Sequence, residues 1–221
     1  MSDLMLSQEG TGTFPRGIHP EGAKALAADA AIEVLPTPAT LQVPVLQHIG
    51  APAKWVIKPR KPVAWGDMIA EAGGFISAAI HAPAAGKTAR VGNITLPNGR
   101  HIECMPIKIS EEQPDPQEIY DKVLGGEWPT KDLPTFKPED IVEAVKGAGI
   151  VGMGGAAFPT FVKLLPNAEK PVDTILVNGS ECEPYLTADY RVMLEAPRAI
   201  IAGALLAAQA AGAKRVVIAV E

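Results

Sequence analysis

The sequence is short of positive charge, of cysteine and of long apolar runs, and each shortage excludes something. Lys and Arg number 20 against 25 Asp and Glu, a formal net charge of −5. A broad nucleic-acid-binding face needs clustered Lys and Arg to neutralise phosphates, so no nucleic-acid partner is expected. The two cysteines, Cys104 and Cys182, stand far apart and form no CxxC pair, iron–sulfur run or zinc spacing. They are expected to be reduced, partly buried thiols. His19, His48, His81 and His101 lack the i, i+4 pairing of a helical metal site, so no metal-binding residue is expected. The first residues offer neither a basic stretch nor an apolar core, so a secretory signal is not expected. The longest apolar run, residues 199–208, is far shorter than the ~20 residues that span a bilayer, so no transmembrane segment is expected.

What is present is apolar and rich in turn formers. Hydrophobic residues make up 47% and charged residues 20%, which speaks for a folded chain. Gly and Pro number 21 each, so short strands and frequent turns are expected. A chain of 221 residues makes one large domain or two small ones. At that size roughly 70% of the unfolded surface is buried, and no disulfide staples are needed.

The chain changes character along its length. Residues 1–40 read as an irregular arm, with a brief helix expected over residues 23–31 before Pro36 and Pro38. Residues 41–109 have β character. Strands are expected at Val43-Pro44-Val45, Trp55-Val56-Ile57, Ile76-Ser77-Ala78-Ala79-Ile80, Ala89-Arg90-Val91 and Ile102-Glu103-Cys104-Met105. Asn98-Gly99 signals a hairpin with a type I′ turn. Many short strands with close turns suggest a small sandwich or barrel. Residues 110–137 form an acidic connection carrying Glu111, Glu112, Asp115, Glu118 and Asp121, read as a solvated linker with a helical turn or two.

Residues 138–221 read as α/β. Pro138-Glu139-Asp140 opens a helix, with proline in the first turn and acids at the positive end of the dipole. Thr174-Ile175-Leu176-Val177 and the run from Arg215 to Val220 read as buried strands flanking a long helix closed by Gly212. Strand, helix, strand at that spacing is a βαβ unit with a parallel sheet. Such a sheet would normally continue past Glu221, so the chain is expected to be a fragment of a longer protein.

Two stretches carry chemistry. The first runs from Gly147 to Thr160 and contains Gly152, Gly154 and Gly155, with Lys163 beyond it. Glycines let backbone approach a ligand and aim successive N–H groups at a phosphate. A helix beginning near Thr160 would point its positive end at the same anion. The pattern is neither a P-loop nor a Rossmann fingerprint, and a tight structural turn is the alternative. The second stretch, Asn178-Gly179-Ser180-Glu181-Cys182-Glu183, directly follows a strand, where ligands of open α/β sheets sit. Asn178 can hydrogen-bond a heterocycle or ribityl chain, and Glu181 and Glu183 can accept from sugar hydroxyls or an amide. An exposed acidic loop is the alternative.

These residues carry a resemblance. Gly152-Met153-Gly154-Gly155-Ala156-Ala157-Phe158-Pro159-Thr160, with Lys163-Leu164, resembles the flavin-binding loop of the NADH-oxidising subunit of respiratory complex I. The stretch from Asn178 through Tyr185 to Arg191 resembles RnfC, of the Rnf electron-transport complex, more closely. Gly17-Ile18-His19-Pro20, Leu46-Gln47-His48-Ile49-Gly50-Ala51-Pro52-Ala53 and His81-Ala82-Pro83-Ala84-Ala85-Gly86-Lys87 also resemble RnfC. The resemblance implies an N-terminal barrel-sandwich, lipoyl-like β module. The first part of a complex-I-type FMN/NADH-binding α/β domain would follow it.

The implied function is that of an NADH-binding flavin subunit in an ion-translocating ferredoxin:NAD oxidoreductase. Its cofactors are FMN and NADH. Its 4Fe-4S clusters would lie in a C-terminal region that this chain lacks. Its partners would be the other subunits of a membrane complex, which it would join peripherally on the cytoplasmic face of the inner membrane. By the same resemblance Gly152, Gly154, Gly155 and Ala156 line the cofactor site, and Lys163 pairs with phosphate. Phe158 would stack on an adenine or isoalloxazine ring. Asn178, Glu181 and Glu183 would hold flavin or the nicotinamide ribose, and no side chain is needed as a catalytic acid or base. One alternative is a lipoyl- or biotinyl-type carrier, but Ser77-Ala78-Ala79 stands where a carrier lysine belongs and Lys87 comes too late. Another is the equivalent subunit of a sodium-pumping NADH:quinone reductase or a cobalamin reductase.

Overall fold

The computed structural model describes residues 20–220. Residues 1–19 lie outside the described residues, and with them all but Pro20 of the Gly17-Ile18-His19-Pro20 motif. The expected helix over residues 23–31 shrinks to a single 3-10 turn, Lys24–Leu26.

Eight short strands follow: β1 (Thr40–Pro44), β2 (Lys54–Trp55), β3 (Pro62–Val63), β4 (Met68–Glu71), β5 (Ile80–His81), β6 (Gly86–Thr88), β7 (Gly92–Thr95) and β8 (His101–Ile109). They form two antiparallel sheets. One has the order β1-β8-β6-β3 with β7 also on β8, and the other has the order β2-β4-β5. Val43, Val45, Val63, Ile69, Ile80 and Ile107 make one core. Ile69 and Ile107 are fully buried, and each contributes about 1.5–3 kcal/mol by leaving water.

Three sequence expectations are corrected in this region. The expected strand at Ala89-Arg90-Val91 is a break between β6 and β7. It lies beside Pro106 of β8, which accepts from the Ala89 amide at 2.7 Å but has no N–H to return. The expected strand at residues 76–80 survives only as β5 at its end. Its backbone is committed elsewhere: the Ile76 carbonyl accepts from the Ala51 amide at 3.0 Å, and the Ala78 amide donates to His48 at 3.2 Å. Ser77 and Ala78 are buried there, so neither stands at an exposed tip for a carrier group. The hairpin between β7 and β8 is present, with a different turn. Gly99 donates to the Leu96 carbonyl at 2.8 Å, and only Gly99 of the Asn98-Gly99 pair takes positive φ (81°). The turn therefore begins one residue earlier, with Pro97 at its second position and a glycine bulge after it.

The acidic connection contains α1 (Pro116–Val123), capped by the Asp115 carboxylate on the Gln117 amide at 2.9 Å. Then come α2 (Pro138–Gly147), α3 (Thr160–Leu164), β9 (Thr174–Gly179), α4 (Ala188–Glu195), α5 (Pro197–Ala211) and β10 (Arg215–Val220). β9 and β10 pair in parallel from Arg215↔Thr174 to Val220↔Gly179, which is the expected βαβ unit. Gly212 closes α5 in the left-handed region (φ 70°), as its sequence position implies. Ile141, Val142, Phe161, Leu164 and Ala210 form the second core, where α2, α3 and α5 meet. Among the described residues no single helix is long and apolar enough to cross a membrane.

Candidate functional site

The glycine-rich stretch is a loop with a cinched base. Val151 and Pro159 form an antiparallel bridge, the Gly152 amide donates to the Phe158 carbonyl at 2.8 Å, and Thr160 donates to Ile150 at 3.0 Å. The tip, Met153 to Ala156, is exposed. Open space stands where a Cβ of Gly154 or Gly155 would be, and Gly155 has φ 99°. A ligand can therefore come directly against the backbone. The expected helix near Thr160 is α3, only five residues long, and its first amide is spent on the loop base. It offers no dipole-based anion site.

Beside the loop, Lys163 lies on α3 with its ammonium 5.8 Å from the Phe158 ring centroid. A Cβ on Gly152 would stand 3.4 Å from that ammonium. Gly152, Phe158 and Lys163 are thus one cluster. A cavity of about 460 Å³ opens against the loop, lined by Gly149, Gly152 and Gly155 on one side and by Gln47, His48 and Ala79 on the other. That volume lies within the range of small-molecule sites, about 300–1,000 Å³.

The second stretch lies at the carboxyl end of β9. Asn178 is exposed, and its side-chain oxygen accepts from the Ser180 amide at 3.1 Å. The Glu181 carboxylate is buried and accepts from the Asp189 amide at 2.9 Å and the Tyr190 amide at 3.4 Å. It caps α4, whose own Thr187 makes no side-chain capping bond. Glu183 is exposed, and so is Cys182, against the expectation of a partly buried thiol. Cys104 is buried as expected and donates to the Gln42 side chain at 3.1 Å; burial pushes its thiol up, so it is a poor nucleophile. Glu181 lines a different cavity, of about 590 Å³, with Lys24, Gly179, Tyr190, Met193 and Val220. The two stretches therefore face separate cavities that share no lining residue.

The arm lies across the second cavity. Lys24 donates to the Glu181 carbonyl, and the Tyr185 amide to Gly22 at 2.7 Å. Arg191 donates to Ala28 at 3.1 Å, and the Ile32 amide to Glu195 at 3.0 Å. Glu195 also pairs with Arg191 at 2.5 Å and accepts from the Tyr120 hydroxyl at 3.1 Å. The Arg191 bonds, then the Ile32 amide, hold its carboxyl below the usual carboxylate range. Partial desolvation, with the Glu195 carboxylate beside it, pushes the Tyr120 hydroxyl up.

Sequence reasoning gives no site role to Gln47, His48, Ala79 or Gly149. Gln47 and His48 belong to a motif of the resemblance, but no spacing links residue 48 to residue 149. Only the tertiary fold joins them. Among the described residues no cluster of three metal-binding side chains occurs.

Comparison with known proteins shows what the chain is similar to. The model of the RnfC barrel sandwich hybrid domain matches residues 12–112, and that of the Nuo51 FMN-binding domain matches residues 145–221. The chain is 41% identical over 205 residues to the C subunit of an ion-translocating oxidoreductase complex of Rhodobacter capsulatus, covering 93% of this chain and 38% of that protein. It is 39% identical over 197 residues to the C subunit of a proton-translocating ferredoxin:NAD(+) oxidoreductase complex of Clostridium ljungdahlii (86% and 40% covered). To the C subunit of the Na(+)-translocating ferredoxin:NAD(+) oxidoreductase complex of Acetobacterium woodii it is 35% identical over 210 residues (95% and 46% covered). It spans less than half the length of these relatives. With a match to the RnfC barrel sandwich hybrid domain followed by one to an FMN-binding domain, the chain is similar over most of its length to RnfC proteins.

Proposed function

We propose that this chain is the flavin- and NADH-binding part of an ion-translocating ferredoxin:NAD oxidoreductase. It would pass electrons between NAD(H), FMN and iron–sulfur clusters carried elsewhere in the protein. The observation that carries the reading is the open backbone of Gly154 and Gly155, with Lys163 held over Phe158 beside Gly152. Bound FMN would supply the redox chemistry, taking a hydride from NADH and releasing single electrons; the protein supplies binding and orientation.

Each residue has a part in this reading. Gly152, Gly154, Gly155 and Ala156 bring backbone to the cofactor without a bulky side chain in the way. Lys163 gives a point charge for its phosphate. Phe158, with the Lys163 ammonium over its ring, would stack on an aromatic ring of the cofactor. Asn178, exposed at the penultimate position of β9, and Glu183, exposed beyond its end, hold flavin or the nicotinamide ribose. Glu181 keeps lone pairs beyond the two amides it caps and shares that role.

The same reading divides the chain into an arm (1–40), a barrel-sandwich, lipoyl-like module (41–109), a linker (110–137) and the α/β domain (138–221). It places the protein peripherally on the cytoplasmic face of the inner membrane, docked to the other subunits of the complex. The test is the double variant Lys163→Ala, Gly154→Val. FMN and NADH should both bind more weakly, and unchanged affinities for both would sink the site assignment.

A further inference from the structure

We propose that the β module is the second wall of the flavin cavity, and that His48 is the positioning residue that sets this wall against the glycine loop. The inference rests on the FMN reading above and extends the site beyond the α/β segment. Nearly half of the cavity lining comes from the β module, including Gln47, His48 and Ala79.

The module grips the loop at both of its feet. Where the chain enters the loop, Gly149 takes φ 67° and lies on the Ala79 carbonyl so closely that a Cβ would overlap it. Where it leaves, the Ala157 carbonyl accepts from the Ile49 amide at 3.3 Å. Ala157 itself is held at φ 47°, a left-handed conformation that an L residue rarely adopts. A third contact lies just past the loop, where Phe75 meets Phe161 of α3 edge to face at 6.0 Å.

Two module segments make these grips, residues 48–51 and 75–79, and His48 joins them. It is buried at 7% exposure. Its Nε2 accepts from the Ala78 amide at 3.2 Å. Nδ1 therefore carries the proton and donates to the Ile49 carbonyl at 3.2 Å. The residues bonded to the imidazole, Ile49 and Ala78, are those that touch the loop or adjoin the one that does. The Ala51 amide on the Ile76 carbonyl, at 3.0 Å, is a second stitch between the segments. With Gly50 (φ 102°) set against the same carbonyl, there is no slack for one segment to slide on the other. The imidazole thus fixes the spacing of the two grips, and through them the loop backbone that the cofactor meets. That is preorganisation of a binding loop by side chains outside it.

The test uses the whole polypeptide its gene encodes, with FMN as the probe. Affinity is read by reconstitution of the FMN-stripped protein, and folding by circular dichroism. Ala79→Leu fills the cavity from the module side and should weaken FMN binding by about tenfold or more. His48→Leu removes the acceptor for the Ala78 amide and should weaken it by about tenfold, the equivalent of one buried donor left unpaired. His48→Gln restores an acceptor and should stay within about threefold of wild type. Equal losses in His48→Leu and His48→Gln overturn the positioning role. Wild-type affinity in both Ala79→Leu and His48→Leu overturns the wall, while the FMN reading stands. A wild-type protein that takes up no FMN removes the flavin reading and the wall together.

Discussion

The β module and the α/β half solve burial differently. The module closes two antiparallel sheets on a core that mixes branched side chains with alanines, with Ile69, Met105 and Ile107 at 0% exposure. The α/β half has two parallel strands and a helix whose buried residues are all alanines, Ala202, Ala204, Ala208 and Ala210. Leu176, Ile218 and Val220 of its strands stand 65%, 40% and 62% exposed. An isolated pair of strands holds little by itself, so this half leans on α2 and α3 and, through Gly149, Ile49 and Phe75, on the module. The difference teaches that the glycine loop is placed by the well-packed half and not only by the segment in which it is encoded.

The largest expected effect sharpens that contrast. Ile107→Ala should cost about 2–5 kcal/mol in chemical denaturation, because it opens a void in the module core. Ile218→Ala, on the exposed strand, should cost about 1 kcal/mol or less. Equal costs would break the comparison. Next is the joint. Gly149→Ala puts a Cβ onto the Ala79 carbonyl at a left-handed residue and should cost about 2 kcal/mol. If the joint couples the halves, this variant should separate a single melting transition into two; a melt unchanged from wild type would deny the coupling.

The smallest effect concerns the arm. The Glu195 carboxyl is held below its usual range by Arg191 and Ile32, so its contribution to stability is present above the ordinary carboxylate value of about 4.3. It is lost as pH falls through the folded value. The melting-temperature gap between wild type and Glu195→Gln should therefore be widest near neutrality and close on acidification. A gap that grows toward low pH would contradict the assignment.

Local signals in the sequence foretell much of this fold. Pro138 with two acids sets the start of α2, Gly212 closes α5, and two apolar runs around that helix make a parallel pair. Strands fail where partners override propensity. Residues 76–79 are apolar enough for a strand, yet their polar groups go to Ala51 and His48. Residues 89–91 lie beside Pro106, which is distant in sequence. α4 is hidden because its cap, Glu181, stands at the far end of the loop between β9 and α4 and not beside the first helical residue. Of the candidate site, the local cluster of Gly152, Phe158 and Lys163 is legible because its members are near neighbours in the chain. The opposite wall is not, because contact between residues 48, 79 and 149 has no local signature.

The central claim is that this chain positions a flavin at the glycine loop. The most direct measurement is the visible spectrum of the purified protein after incubation with FMN and removal of the excess, followed by addition of NADH. Retained flavin absorbance that NADH bleaches, and that Lys163→Ala with Gly154→Val diminishes, is the predicted result. A colourless protein, or one whose flavin NADH leaves oxidised, would contradict the account.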